Sequence, residues 1–124
     1  MRDAGTPTTG RERHALRRVY GDLANVTVGE MRAHRDGRAM PMRGTSSRSE
    51  RATCDRLIAI QRKRGSELTE QDYELMARAI SRIHLLLRHR PEGPIRCSAW
   101  RRRLLLLGHD PLRTERSPAL AAEH

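Results

Sequence analysis

The chain is expected to fold as an all-α domain, a small irregular bundle of about five helices with loose termini. Three observations predict this class. Apolar residues recur at three- and four-residue spacing, hydroxyl residues stand three positions ahead of an acid at successive helix starts, and no stretch alternates as a strand would. The spacing places a disordered N-terminus over 1–9, one helical domain over 10–112 with a flexible connection at 36–49, and a disordered tail over 113–124.

The first helix starts near Arg11, with Leu16, Val19, Tyr20 and Leu23 on one face and Gly21 weakening it. Thr27 and Glu30 have the spacing of a capping box, so a second, short helix begins there and ends by Gly37. Ser47 and Glu50 repeat that spacing. Cys54, Leu57, Ile58 and Gln61 follow at helical intervals, and Gly65 is expected as the left-handed residue that closes this third helix. The fourth helix is the strongest signal. Thr69 caps it, Tyr73, Met76, Ile80, Ile83 and Leu87 repeat along it, and Pro91 ends it. Ser98 caps a fifth helix that aligns Trp100, Leu104 and Leu107, until Gly108 and Pro111 stop it.

Leu, Ile and Val supply 22 of the 124 residues, and 15 of those 22 fall between Leu57 and Leu107. The core is therefore expected in the second half of the chain, thin, and completed by a partner or a second copy. With no apolar run beyond the four residues Leu104 to Leu107 and no N-terminal signal segment, the expected location is the cytoplasm. Cys54 and Cys97 form neither a disulfide framework nor a metal spacing and are expected reduced.

The chain carries a net charge of +10 from 24 Arg and one Lys against 15 acids. Preference for Arg over Lys is what a GC-rich gene gives, but the sign of the charge attracts polyanions. Two clusters are candidate phosphate contacts: Arg62, Lys63 and Arg64 at the end of the third helix, and Arg96 with Arg101, Arg102 and Arg103 around the fifth. Successive residues on a helix point about 100° apart, so the second cluster cannot form one flat patch. A solvated helix surface is the plain alternative for it, and relief of the helix dipole is the alternative for Arg62 to Arg64. Only Tyr20, Tyr73 and Trp100 are aromatic, and Tyr73 and Trp100 fit core positions. Backbone contact with duplex is thus expected over base stacking on a single strand.

No residue set demands a reaction. Cys97, His109 and Asp110 have the types of a thiol nucleophile, base and orienter, but adjacent His and Asp side chains diverge in an ordinary turn. His109 reads instead as a cation at a helix C-terminus, and His84, bordering the apolar face of the fourth helix, as a core histidine. Leu85, Leu86, Leu105 and Leu106 lie off the main apolar stripes and are expected to face outward, making a homodimer or partner surface.

The order Val19-Tyr20 to Met31, Leu68-Thr69 with Asp72-Tyr73 and Met76, Arg90-Pro91 with Gly93, Trp100-Arg101, and Gly108-His109-Asp110-Pro111-Leu112 resembles the family known as domain of unknown function 3140. The resemblance covers residues 16 to 113. It implies a compact helical domain, with some members labelled DNA-binding, and no enzymatic activity, cofactor or metal. Trp100, Gly108, His109, Asp110 and Pro111 are the family's structural block. The chain departs from the family pattern at Leu85-Leu86, at Leu106-Leu107 and at His34-Arg35, which predicts an altered surface. The expected function is non-enzymatic binding of duplex DNA backbone in the cytoplasm, associated with the nucleoid, and the alternative is a protein-interaction module pairing through its leucine-rich helices.

Overall fold

A computed structural model describes residues 10–39, 42 and 44–113, so the expected disorder of 1–9 and 114–124 lies outside the described residues. Among these residues five α-helices run α1 (Gly10–Leu23), α2 (Val28–Arg35), α3 (Arg48–Gln61), α4 (Glu70–Arg88) and α5 (Ala99–Leu106), with a 3-10 turn at Gly65–Glu67. Among the described residues there is no strand.

The starts are fixed by local chemistry. Thr27, Ser47 and Thr69 each accept a hydrogen bond from the third helical residue, whose carboxylate accepts from the cap's own N–H in return. Ser98 caps α5 by accepting from the Arg101 amide at 3.1 Å. The stops are equally local. After α5 the Gly108 amide donates to the Leu105 carbonyl at 3.0 Å and the His109 amide to the Leu104 carbonyl at 2.9 Å, with Gly108 at φ +96. This paired closure satisfies carbonyls that would otherwise end the helix unpartnered. α2 closes the same way through Gly37.

The third helix ends differently from its sequence reading. Gly65 does not take a positive φ; α3 stops in right-handed geometry at Arg62, and Gly65 instead opens the 3-10 turn. Its lack of a side chain serves a close approach, because the Arg17 guanidinium occupies the space a Cβ would fill.

α1 lies along α4, and α5 is surrounded by α2, α3 and α4. Met31, Cys54, Leu57, Ile83 and Leu104 are fully buried at their meeting point. The core thus draws on α2 and, through buried Tyr20, on α1 as well as the second half of the chain. Cys54 sits inside it, where burial pushes its thiol up to about 12.

The outward leucine surface is not there. Leu105 and Leu106 are each 2% exposed and Leu86 is buried, leaving Leu85 as the one exposed member of the four. An eight-residue helix is only about 12 Å long, so three neighbours can enclose it on all sides but the one where Arg103 is exposed. Leu86 also carries a core bond, its carbonyl accepting from Trp100 Nε1 at 2.6 Å. His84, read as a core histidine, is exposed. Arg113, assigned to the tail, belongs to the fold: it pairs with Glu30 and donates to the Asn25 carbonyl at 2.6 Å.

Candidate nucleic-acid interface

The seven cations expected to contact phosphate separate into five situations. Arg101 and Arg102, each 8% exposed, are inside the protein. Arg101 lays Nε and Nη2 on the two Asp110 oxygens at 3.2 and 3.1 Å and donates Nη1 to the Arg96 carbonyl at 2.8 Å. Arg102 reaches Glu50 at 3.6 Å and lies beside Gly44. Neither the solvated surface nor the phosphate contact read from the sequence describes these two. The triplet Arg101-Arg102-Arg103 looked like a surface cluster because the helix's acidic partners, Asp110 and Glu50, come from elsewhere in the chain.

Arg103 is exposed and stands 3.6 Å from Glu50, in the first turn of α3. Arg62 and Arg64 are exposed at the other end of that helix. Twelve residues of helix separate Glu50 from Arg62, roughly 18 Å. The two sequence clusters therefore do not form one patch. Arg96 is exposed in the turn ahead of α5, and Lys63 is engaged by Asp72 at 2.8 Å.

A different grouping forms around Arg62 to Arg64. The ideal Cβ position of Gly65 lies 2.6 Å from both Cζ and Nη1 of Arg17, which sets α1 directly against this turn. On α1 the residues Leu16, Tyr20 and Leu23 face inward, so at 100° per residue Arg11, His14, Arg17 and Arg18 occupy a contiguous outer flank, and all four are exposed. Asp22 follows one turn beyond Arg18. Acids near the turn are committed: Glu67 accepts from the Arg64 amide at 2.7 Å, Glu70 pairs with Arg13, and Asp72 holds Lys63. Arg13 also stacks on the Tyr73 ring at 5.1 Å, fixing α1 to α4 at this end.

The outcome is a run of exposed cations in which Arg11, Arg17 and Arg18 of α1, spread over about 120° of the helix, adjoin Arg62 and Arg64 of the turn through Arg17 at Gly65. Sequence reasoning found the last two and missed the first three. A signal was present, since Arg11, His14 and Arg18 fall at three- and four-residue spacing opposite the apolar stripe. Their adjacency to residues 62–64, some fifty positions away, was not legible.

The Gly108-His109-Asp110 block is structural. His109 Nδ1 donates to the Leu23 carbonyl at 2.8 Å, whereas Asp110 turns to Arg101 and also accepts from the Leu112 amide at 3.0 Å. Both are buried, and His109 and Asp110 diverge as an ordinary turn requires. Asn25 completes the lock, accepting from the Asp110 amide at 2.6 Å and donating to its carbonyl at 3.1 Å. Cys97 is exposed in the turn before α5.

The family described as "Protein of unknown function (DUF3140)" matches residues 19–105. The chain belongs to this family. The match runs from the second half of α1 to the last turn of α5, so it takes in Tyr20, α2, α3, α4 and most of α5. Of the positions expected to alter the surface, Leu86 within the match and Leu106 just beyond it are buried, and Leu85 is exposed. No curated protein and no solved structure matches the chain. Among the described residues no helix is long and apolar enough to cross a membrane, and no His, Cys, Asp and Glu group could hold a metal ion.

Proposed function

We propose that this DUF3140 protein is a non-enzymatic binder of duplex nucleic-acid backbone, without sequence choice, acting through the α1 flank and the turn at residues 62–64. The observation that carries the reading is Arg17 seated against Gly65, which brings the arginine-bearing α1 to the turn that carries Arg62 and Arg64. Arg11 to Arg18 spans about 10 Å along the helix, the rise of roughly three phosphates of one strand. Guanidinium forks suit phosphate oxygens. Duplex is favoured over single strands because Tyr20, Tyr73 and Trp100 are all buried, which leaves no aromatic platform for stacking. On this reading the protein works in the cytoplasm, associated with the nucleoid. The leucine-pairing alternative loses its surface, since three of its four residues are in the core.

Anisotropy of labelled duplex DNA, titrated across a salt series, tests the reading. Binding should fall steeply with salt, and Arg17→Gln, Arg18→Gln, Arg62→Gln and Arg64→Gln together should reduce the log–log slope by about 3–4, near one unit per lost phosphate contact. Absence of binding at low salt, or an unchanged slope in the variant, would overturn it.

Gly65→Ala gives a finer check. The atoms it would meet are the mobile end of Arg17, so stability should stay within about 0.5 kcal/mol of the parent. Because that guanidinium must move, duplex affinity should fall by a few-fold in the same sample. A large loss of stability would show that the approach is structural.

A further inference from the structure

A second site stands at the opposite end of α3 from the proposed duplex face. A groove of about 330 Å³ opens between α3, α4 and α5. Its floor is apolar, formed by Leu75, Ala79 and Leu106, and its rim carries Arg78 and Arg82 of α4 with Arg103 of α5. All three arginines are exposed. Arg78 and Arg82 are four residues apart, so they rise from one side of α4, flanking the Leu75–Ala79 stripe.

The groove is also electrostatically one-sided. Its acidic lining residue, Glu50, already accepts from the Ser47 amide at 2.8 Å and stands 3.6 Å from both Arg102 and Arg103. Among the described residues Arg78 and Arg82 have no carboxylate partner. Ser49 and Thr53, one turn apart on α3, add hydroxyls to the wall facing them. Three cations would suffice for a phosphate, but a bare anion has no use for an apolar floor. An apolar molecule alone would leave the rim unused. The volume lies at the small end of ligand-binding cavities.

We infer that this groove binds a small free amphiphilic anion, an organic carboxylate or phosphate whose apolar body lies on Leu75, Ala79 and Leu106 and whose head group pairs with Arg78 and Arg82. The site is independent of duplex binding, because the two faces lie at opposite ends of α3.

Octanoate is a suitable probe, with octanol as the uncharged counterpart and inorganic phosphate as the head group alone. Binding is followed by backbone amide shifts of the full chain and by calorimetry. Octanoate should shift amides at 49–53, 75–82 and 103–107, and should bind at least tenfold more tightly than octanol or phosphate. Arg78→Gln with Arg82→Gln should weaken octanoate at least tenfold while leaving the melting temperature and the duplex salt slope unchanged. Equal binding of octanol would show that the rim is unused, and equal binding of phosphate that the floor is; either overturns the inference. So does the absence of octanoate binding, or shifts confined to the α1 face. Loss of duplex binding by Arg17, Arg18, Arg62 and Arg64 variants leaves it untouched.

Discussion

Replacing Asp110 by Ala is expected to remove about 3–5 kcal/mol of folding stability, the cost of leaving a buried guanidinium without its carboxylate. The side chains of Arg101 and Asp110 are 9% and 7% exposed, so water cannot take over the pairing. Asp110 also accepts from the Leu112 amide and lies 3.8 Å from Arg113, so its loss loosens three attachments of the C-terminal turn at once. A domain of this size has about 5–15 kcal/mol in total, which makes this a large fraction. Urea denaturation of the Asp110→Ala protein measures it, and a cost under about 1 kcal/mol would contradict a dry pair. Replacing both partners with apolar residues, Arg101→Met with Asp110→Leu, should recover much of the loss, because neither charge is then stranded.

The same pair sets an acid dependence. Burial alone would raise the Asp110 carboxyl, but hydrogen bonds from Arg101 and the Leu112 amide, with the charges of Arg101 and Arg113, together hold it below its ordinary 3.8. Glu30 is held down to about 2, chiefly by its hydrogen bond from Arg113. A lowered folded value means that the stabilisation is complete above the unfolded value, near pH 4, and is lost as pH falls through the folded one. Acid unfolding of the parent should therefore set in below about pH 4, and in the apolar double variant the contribution of Asp110 to that transition should vanish.

Gly108→Ala is expected to cost about 2–4 kcal/mol, combining left-handed backbone strain with the disturbance of a buried hydroxyl. At φ +96 a side chain is strained whatever space surrounds it, and here a Cβ would stand 2.9 Å from Tyr20 Oη. That hydroxyl donates to the Leu107 carbonyl at 2.9 Å, and burial keeps the phenol protonated by pushing its pKa upward. Removing the hydroxyl relieves the collision. Tyr20→Phe in the Gly108→Ala background should thus cost less than the sum of the two single changes, by a margin that thermal or urea unfolding resolves. Strict additivity would show that backbone strain alone accounts for the glycine.

The helices were legible because their causes are local. Thr27, Ser47, Thr69 and Ser98 cap the positions their spacing announced, and of the α4 repeat Tyr73, Met76 and Ile83 are buried while Ile80 and Leu87 pack half-buried against the core. Gly65 misled because a glycine after a helix most often signals a left-handed close, whereas here it makes room for a side chain from α1. Leu105 and Leu106 misled through an assumption about enclosure, as did Arg101 and Arg102 through their charge. In each case the deciding partner, Arg17, Asp110, Glu50 or a neighbouring helix, lies outside the few residues that local spacing reads.

The sequence alone determined the all-helical class, the capped starts, the glycine stop after α5, the positive charge and the DUF3140 resemblance, since these depend on spacing within a few residues or on composition. The tertiary structure decided which arginines are surface and which are core, and it brought Arg17 beside residues 62–64 while parting them from Arg103. The physical reason is that a cation's fate depends on whether a carboxylate is delivered to it by folding. Glu50 reaches Arg102 from another helix and Asp110 reaches Arg101 across the turn after α5, and local periodicity carries no information on either.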